Sequence, residues 1–278
     1  MLCTPAWADR LELLGSIVLP KGPGFGGFSS LELSQDGTNV LMTTDKGSFV
    51  TGEIIRENGV LSGFENMQRE FIIGKNAKRL TPFRQDSEGL AIGADGKIYV
   101  SFEGWHVVMH FDATDGQGFN LPRNPTMIGL KHNSGMEALA IDAQGTLYAI
   151  PERSGNLNRD FPVMRLRDKT WDTKLKISRD SGFLPVGADI GPDGRLYLLE
   201  RKFHGPWGFT SRVQSFEISE DALIDAQTLL VTERGTHHNL EGISVWTDAD
   251  GATRVTMVAD DNFRDILRSD LVEYRLTP

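Results

Sequence analysis

An all-β chain closed as a β-propeller is what this sequence predicts, from three observations. Gly-centred hairpins recur at Asp36-Gly37, Asp95-Gly96, Gln144-Gly145, Asp193-Gly194 and Asp250-Gly251, and their spacing suits one four-stranded blade plus loops. No stretch carries a sustained helical period. Strand-like segments stand at both ends, Leu11 to Leu19 and Leu271 to Leu276. A ring closes when strands from the two termini share one blade, which removes exposed sheet edges. Five repeats are recognisable, and the longer intervals leave room for a sixth, degenerate blade.

The elements follow from local patterns. Asp-Gly predicts a type I′ turn at each hairpin, since that turn needs positive φ at both central residues. Around the turns, Lys97 to Phe102, Thr146 to Ile150, Arg195 to Leu199 and Arg254 to Val258 are short, apolar and bounded by polar punctuation. Phe49 to Ile55 pairs with Val60 to Phe64 across Glu57-Asn58-Gly59, and Val107 to Phe111, Pro162 to Leu166 and Val213 to Ile218 read as third strands.

Composition bounds the function. At 278 residues the chain is long enough for one propeller domain with a large core. A net charge of -9 and a pI near 5.2 argue against nucleic acid or an anionic membrane as partner. No apolar run reaches the length of a membrane span. Cys3 is the sole cysteine, so neither a disulfide framework nor a thiolate metal site is available. Ala6-Trp7-Ala8 has the small-x-small pattern of a signal-peptidase site. Residues 1–8 are therefore expected to be the remnant of a secretory leader, residues 9–278 the single domain, and the location periplasmic or secreted.

Acids recur at two places in each repeat. Glu32, Glu88, Glu137, Asp189 and Glu241 stand at or near the start of the first strand, and in a propeller they are expected around one end of the central channel. Crowded carboxylates raise one another's pKa, and a hard cation relieves that conflict. Calcium, with its many oxygen ligands in loose geometry, is the expected ion, or else another hard divalent cation. Asn133, Asn239 and Asn262 are expected to complete its shell. The second set, Glu103, Glu152, Glu200 and Asp260, with Asp45, follows the return strand. These acids are candidates for further ligands or for the general base. Lys46, Arg153 and Arg201 directly follow such acids and are candidate grips for an anionic substrate, with His238 beside them. The structural alternative for the first set is that each acid caps a neighbouring backbone or pairs with a basic side chain, and for the second set it is inter-blade ion pairs that hold the ring.

Other signals are weaker. His106 and His110 share a strand face without a third ligand, which suits packing. No Gly-x-Ser-x-Gly is present, so a nucleophile elbow is absent. Gly24-Phe25-Gly26-Gly27-Phe28-Ser29 lacks the end of a phosphate loop and leads into a strand, where it lets the backbone approach the channel.

Gly26-Gly27-Phe28-Ser29-Ser30-Leu31, Asp86-Ser87-Glu88-Gly89-Leu90-Ala91, Asn133 to Ala140, Glu200-Arg201, Asn239-Leu240-Glu241-Gly242-Ile243 and Asp260-Asp261-Asn262-Phe263 stand in an order that resembles a bacterial family, esterase-like activity of phytase. The resemblance spans about Leu13 to Leu276. It implies a β-propeller, export and metal-dependent phosphoesterase activity, and it carries over no catalytic residues. The two calcium-organising segments of alkaline β-propeller phytases are missing, although Asp260-Asp261-Asn262-Phe263 echoes one of them.

Three functional readings stay open at this point. The first is a metal-dependent phosphoric ester hydrolase acting on a small anionic ester. The second is a lactonase or carboxylic esterase that uses the same cation. The third is a non-catalytic binding propeller with a structural cation.

Overall fold

In the computed structural model, residues 9–22, 24–127, 135–264 and 267–278 are described. The expected leader remnant, Cys3 and Asn133 lie outside them. The chain runs β1 (Arg10–Val18), β2 (Phe28–Leu33), β3 (Asn39–Thr44), β4 (Ser48–Glu57), β5 (Val60–Phe71), β6 (Ser87–Ile92), β7 (Ile98–Phe102), β8 (Val107–Phe111) and β9 (Phe119–Asn120). It continues through β10 (Met136–Ile141), β11 (Leu147–Pro151), β12 (Phe161–Arg167), β13 (Thr170–Ile177), β14 (Leu184–Ile190), β15 (Leu196–Phe203) and β16 (Phe209–Ile218). The last elements are β17 (Leu223–Val231), β18 (Asn239–Thr247), β19 (Thr253–Asp260) and β20 (Asp270–Thr277).

Five four-stranded antiparallel sheets form a five-bladed propeller. Blades 1 to 4 are β2–β5, β6–β9, β10–β13 and β14–β17, and blade 5 is β18–β19–β20 with β1 at its outer edge. β1 pairs with β20 from Arg10↔Thr277 to Val18↔Asp270, so the ring closes through strands from both termini, and no sixth blade is present among the described residues. Among those residues, no helix is long and apolar enough to cross a membrane.

The core is divided among the seams between blades. Phe49, Ile72, Leu90, Val100 and Phe111 fill the seam of blades 1 and 2, while Tyr197, Leu199, Ile243 and Met257 fill that of blades 4 and 5. Near the axis the inner strands come close, and the residues there are small. A Cβ on Gly242 would stand 2.8 Å from the backbone of Ser30 and Leu31, and one on Gly187 would stand 2.5 Å from the Glu241 carbonyl. The Gly that follows Glu88 and Glu241 is thus a packing residue.

The hairpins differ from expectation in one respect. Gly37, Gly96, Gly145, Gly194 and Gly251 have positive φ, but the preceding Asp or Gln does not. The Gly37 N–H bonds back to the Ser34 carbonyl at 2.7 Å, and the others repeat the pattern. The turn is therefore a type I turn closed by a left-handed Gly, which needs one such residue, not two. The Asp side chains cap it: Asp36 Oδ1 accepts from the Thr38 N–H at 3.0 Å, and Asp193 Oδ1 from the Arg195 N–H at 3.1 Å.

Candidate functional site

The register of the two inner strands decides which side chains reach the channel. Every blade has a bulge at the start of its first strand. Ser29, Glu137, Val186 and Glu241 are the unmatched residues in blades 1, 3, 4 and 5, and in blade 2 Glu88 and Gly89 together oppose Ser101. A bulge turns its extra residue out of the pleat, here toward the axis. Glu88, Glu137 and Glu241 thus occupy one position, while Glu32 and Asp189 sit three residues further along their strands. The structure therefore parts the expected single ring of acids into two levels.

The lower level is a pair. Asp189 Oδ1 and Oδ2 accept from the backbone N–H of Ile190 at 2.7 Å and of Val245 at 2.6 Å. Glu32 Oε2 accepts from the Ser244 hydroxyl at 3.3 Å. Burial raises both carboxyls, Asp189 to about 7, and the Asp189 charge adds to the rise at Glu32. Glu32 lines a groove with Gln35 and Gly93 at the hairpin end of the channel, the end opposite the bulges.

The upper level is the mouth. Thr44, Phe102, Pro151, Glu200 and Ala259 are equivalent in register. One residue on stand Asp45, Glu103, Glu152, Arg201 and Asp260. Glu200 is thus out of phase with the other return-strand acids, and Arg201 takes the channel position in blade 4. Glu200 instead points into the blade, where Oε2 and Oε1 accept from Arg212 Nε and Nη2 at 2.7 and 3.0 Å. It is 1% exposed, and burial raises its pKa although Arg212 opposes the rise. Removing one partner of a buried ion pair typically costs about 3–5 kcal/mol. Because Arg212 keeps Asp180 at 2.9 Å, Glu200→Ala is expected near the lower end, a loss of about 6–12 °C in Tm. Turnover per folded molecule should be unchanged, and calorimetry beside a rate assay checks both.

Arg201 joins blades 3, 4 and 5. Its Nη1 donates to Glu241 Oε1 and to Asn239 Oδ1, the latter at 2.5 Å, and its Nη2 approaches Glu152 Oε1 at 3.4 Å. Asn239 Nδ2 donates to Glu241 Oε1 at 2.7 Å, so both ends of this amide are engaged inside the cluster. Arg153 Nε donates outward to Glu152 Oε2 at 3.0 Å and is largely exposed. Lys46 Nζ sits 3.2 Å above the Phe263 ring. His238 lies 3.8 Å from Asp270, and its neighbour His237 contacts the Tyr274 hydroxyl at 2.6 Å.

On the other side of the mouth Asp261 has Lys21 at 4.0 Å, while Asp86, Glu88 and Glu103 make no ion pair among the described residues. One carboxylate oxygen each from Asp86, Glu88 and Glu103 lies within 4.8 Å of the other two. Burial pushes all three upward, and at Glu88 the charges of Glu137, Glu241, Asp86 and Glu103 push in the same direction. Asp45 Oδ1, on the neighbouring blade, is buried with no hydrogen-bond partner, and burial together with Asp86 and Glu241 raises its carboxyl to about 7. Asp260 rises to about 8 through burial and the charge of Glu241, while its Oδ1 accepts from the Asn262 N–H at 2.6 Å. Asp261 Oδ1 accepts from Gly27 N–H at 2.9 Å and Phe263 N–H at 3.0 Å. A Cβ on Gly27, where φ is +62°, would meet Phe263 and Asp45, so the Gly-rich segment does bring backbone to the mouth.

Asp86 and Asp261 are members of this mouth that acid counting by repeat passes over. Asp86 precedes its strand by one residue, and Asp261 follows Asp260 directly. The signal available was local: each doubles an acid already singled out. The trio Asp86, Glu88 and Glu103 has the donor set of a hard-cation site, all oxygen, with mutual repulsion that a divalent ion would cancel.

The family profile described as Phytase-like, esterase-like activity of phytase, matches residues 23–263. No protein of curated function matches the chain in sequence. Among solved structures, an α-L-arabinofuranosidase from Podospora anserina, in complex with cellotriose, aligns over 98% of each chain with 12% identity and a TM-score of 0.56. The PQQ-bound aldose sugar dehydrogenase from Streptomyces coelicolor aligns over 99% of this chain and all of its own, with 11% identity and a TM-score of 0.51. At such identities the likeness extends to the fold alone.

Proposed function

Since this chain belongs to the Phytase-like family, esterase-like activity of phytase, we propose that its acid-lined mouth holds a divalent cation, calcium by donor type, and hydrolyses a phosphoric ester outside the cytoplasm. The observation that carries this reading is the Asp86, Glu88 and Glu103 trio, drawn together with no ion pair to a basic group among the described residues. Arg201 does not serve that purpose, because it is committed to Glu241, Asn239 and Glu152.

Asp86, Glu88 and Glu103 would hold the ion, with Asp45 supplying a further oxygen from blade 1. Such an ion supplies Lewis-acid polarisation of the ester oxygen and an acidified water. Asp260, buried and raised to about 8, keeps a proton at neutral pH and is placed to pass it to a leaving oxygen. Arg201 sets the charge and position of Glu241, and its edge offers the substrate a guanidinium. The exposed Arg153 and Lys46 are reserve cations at the rim.

A second reading has one observation in its favour. With Arg201 already paired, the channel itself offers little free positive charge for a phosphate dianion, so a lactone or carboxylic ester on the same cation competes. Assay of phosphomonoesters, phosphodiesters and lactones, each with calcium or EDTA, decides between them. Chelator-sensitive turnover of a phosphate ester is expected; turnover of lactones alone would transfer the site to the second reading, and none at all would remove both.

Stability should report the ion independently of turnover. Carboxyls whose folded pKa is raised bind more protons folded than unfolded, so stability is fullest below the ordinary carboxylate pKa of about 4. It then falls as pH rises toward about 7 at Asp45 and about 8 at Asp260. The metal-free protein should therefore melt lower at pH 8 than at pH 5. Saturating calcium would displace the protons of Asp86, Glu88, Glu103 and Asp45, and at a hundred times Kd it should restore about 5–10 °C at pH 8 and much less at pH 5. Differential scanning calorimetry at the two pH values checks the sign and the size.

A further inference from the structure

The loop from Phe71 to Gln85 joins the outer strand of blade 1 to the inner strand of blade 2. It carries Lys75, Lys78, Arg79 and Arg84 and not one acid, in a chain of net charge -9. These four side chains line a cavity of about 300 Å³ with Trp105 and Asn120. Among the described residues none of the four makes an ion pair. Two of them lie over aromatic faces: the Arg79 guanidinium lies 3.3 Å from the Phe71 ring centroid, and that of Arg84 lies 4.8 Å from the Trp105 ring. Trp105 Nε1 is buried and has no acceptor among the described residues.

We infer that this cavity is an anion-binding pocket for a phosphate-type oxyanion, separate from the cation site in the channel. Four like charges around one hollow repel one another, and a multiply charged oxyanion removes that repulsion. Guanidinium forks grip tetrahedral oxyanions bidentately, and rings stacked on Arg79 and Arg84 fix the fork planes before the ligand arrives. The hollow is at the small end of the range for ligand sites, which favours a compact group over an extended polymer.

Its place on the molecule follows from the loops that build it. The basic loop ends at Asp86, and Trp105 stands two residues after Glu103. A Cβ on Gly104 would stand 2.4 Å from the Phe83 carbonyl, so the two loops touch between the pocket and the mouth. The pocket therefore sits on the rim of blade 2, on the same face as the acids, and its occupancy does not depend on whether the mouth hydrolyses anything.

Titration of the full chain with inorganic phosphate in EDTA, followed by tryptophan fluorescence and calorimetry, tests the pocket with the cation site silent. Saturable binding with Kd on the order of 1 mM or tighter is expected. The fluorescence change should vanish in Trp105→Phe. The double variant Arg79→Met, Arg84→Met should bind at least ~10-fold more weakly, as loss of charge-assisted bonds implies, while Arg234→Met binds as the parent does. Both arginines are exposed, so the fold should survive, and an unchanged melting curve checks this. A parallel arm uses phosphatidylcholine vesicles doped with phosphatidic acid. Vesicle binding in addition to phosphate would make a lipid headgroup a second source of the same group. No saturation by phosphate, undiminished binding in the double variant, or binding to vesicles alone would overturn the assignment.

Discussion

Replacing Glu88 with Gln is expected to lower chelator-sensitive hydrolysis by a factor on the order of 10²–10³, and to raise the melting temperature of the metal-free protein. A ligand oxygen lost from a charge-stabilising site costs about that much in rate. The opposite sign of the stability effect is the informative part. Burial and four neighbouring acids push the Glu88 carboxyl upward, so without a cation this side chain opposes folding at alkaline pH. Gln is isosteric and neutral at every pH. The variant should therefore melt above the parent in EDTA at pH 8, match it near pH 4, and gain little from added calcium. If hydrolysis persists unchanged, the blade 2 trio does not hold the working ion. If hydrolysis is lost but calcium stabilises the variant as much as the parent, the ion is bound elsewhere.

Arg201→Met should produce the largest loss of stability of any mouth substitution. Its guanidinium is the counter-charge for Glu241 and lies against Glu152, and burial keeps all three from full solvation. Breaking such a cluster typically costs about 3–5 kcal/mol, or about 6–20 °C for a domain of this size. The cost is pH-dependent in a known direction. Burial raises Glu241 and Arg201 lowers it; without the arginine the carboxyl moves further up, so the deficit should shrink as pH falls and the acid takes a proton. Phosphate ester turnover should collapse even at temperatures where the variant is folded. Arg201→Lys should recover part of the stability and less of the turnover, because an ammonium cannot span Asn239, Glu241 and Glu152 as a planar fork does. A variant that melts like the parent would show that the three-blade cluster does not hold the mouth together.

Sequence carried the architecture well because propeller blades repeat local grammar. Asp-Gly hairpins, apolar alternation on the two inner strands and strand-like termini each read directly. Outer strands were harder. Thr170–Ile177 and Leu223–Val231 carry Lys, Asp and Gln along exposed edges, so no buried face imposes a period. The acids were legible as types but not as positions. A one-residue bulge reverses which face a side chain takes, and neither composition nor spacing announces it. Glu200 and Arg201 show the cost: adjacent in the chain, one neutralises Arg212 inside a blade and the other enters the channel. Glu32 and Asp189 show it again, since three residues along a strand carried them from the mouth to the opposite level.

Closure has a consequence in time. β1 is made first, yet its hydrogen-bonding partner is the final strand of the chain. A growing polypeptide can complete four blades while the fifth still lacks β20, and until β20 is made β1 has nothing to zip against. Deleting Asp270–Thr277 would leave β1 unpaired and β19 with an open edge, and turn a sealed wheel into a template for polymerisation.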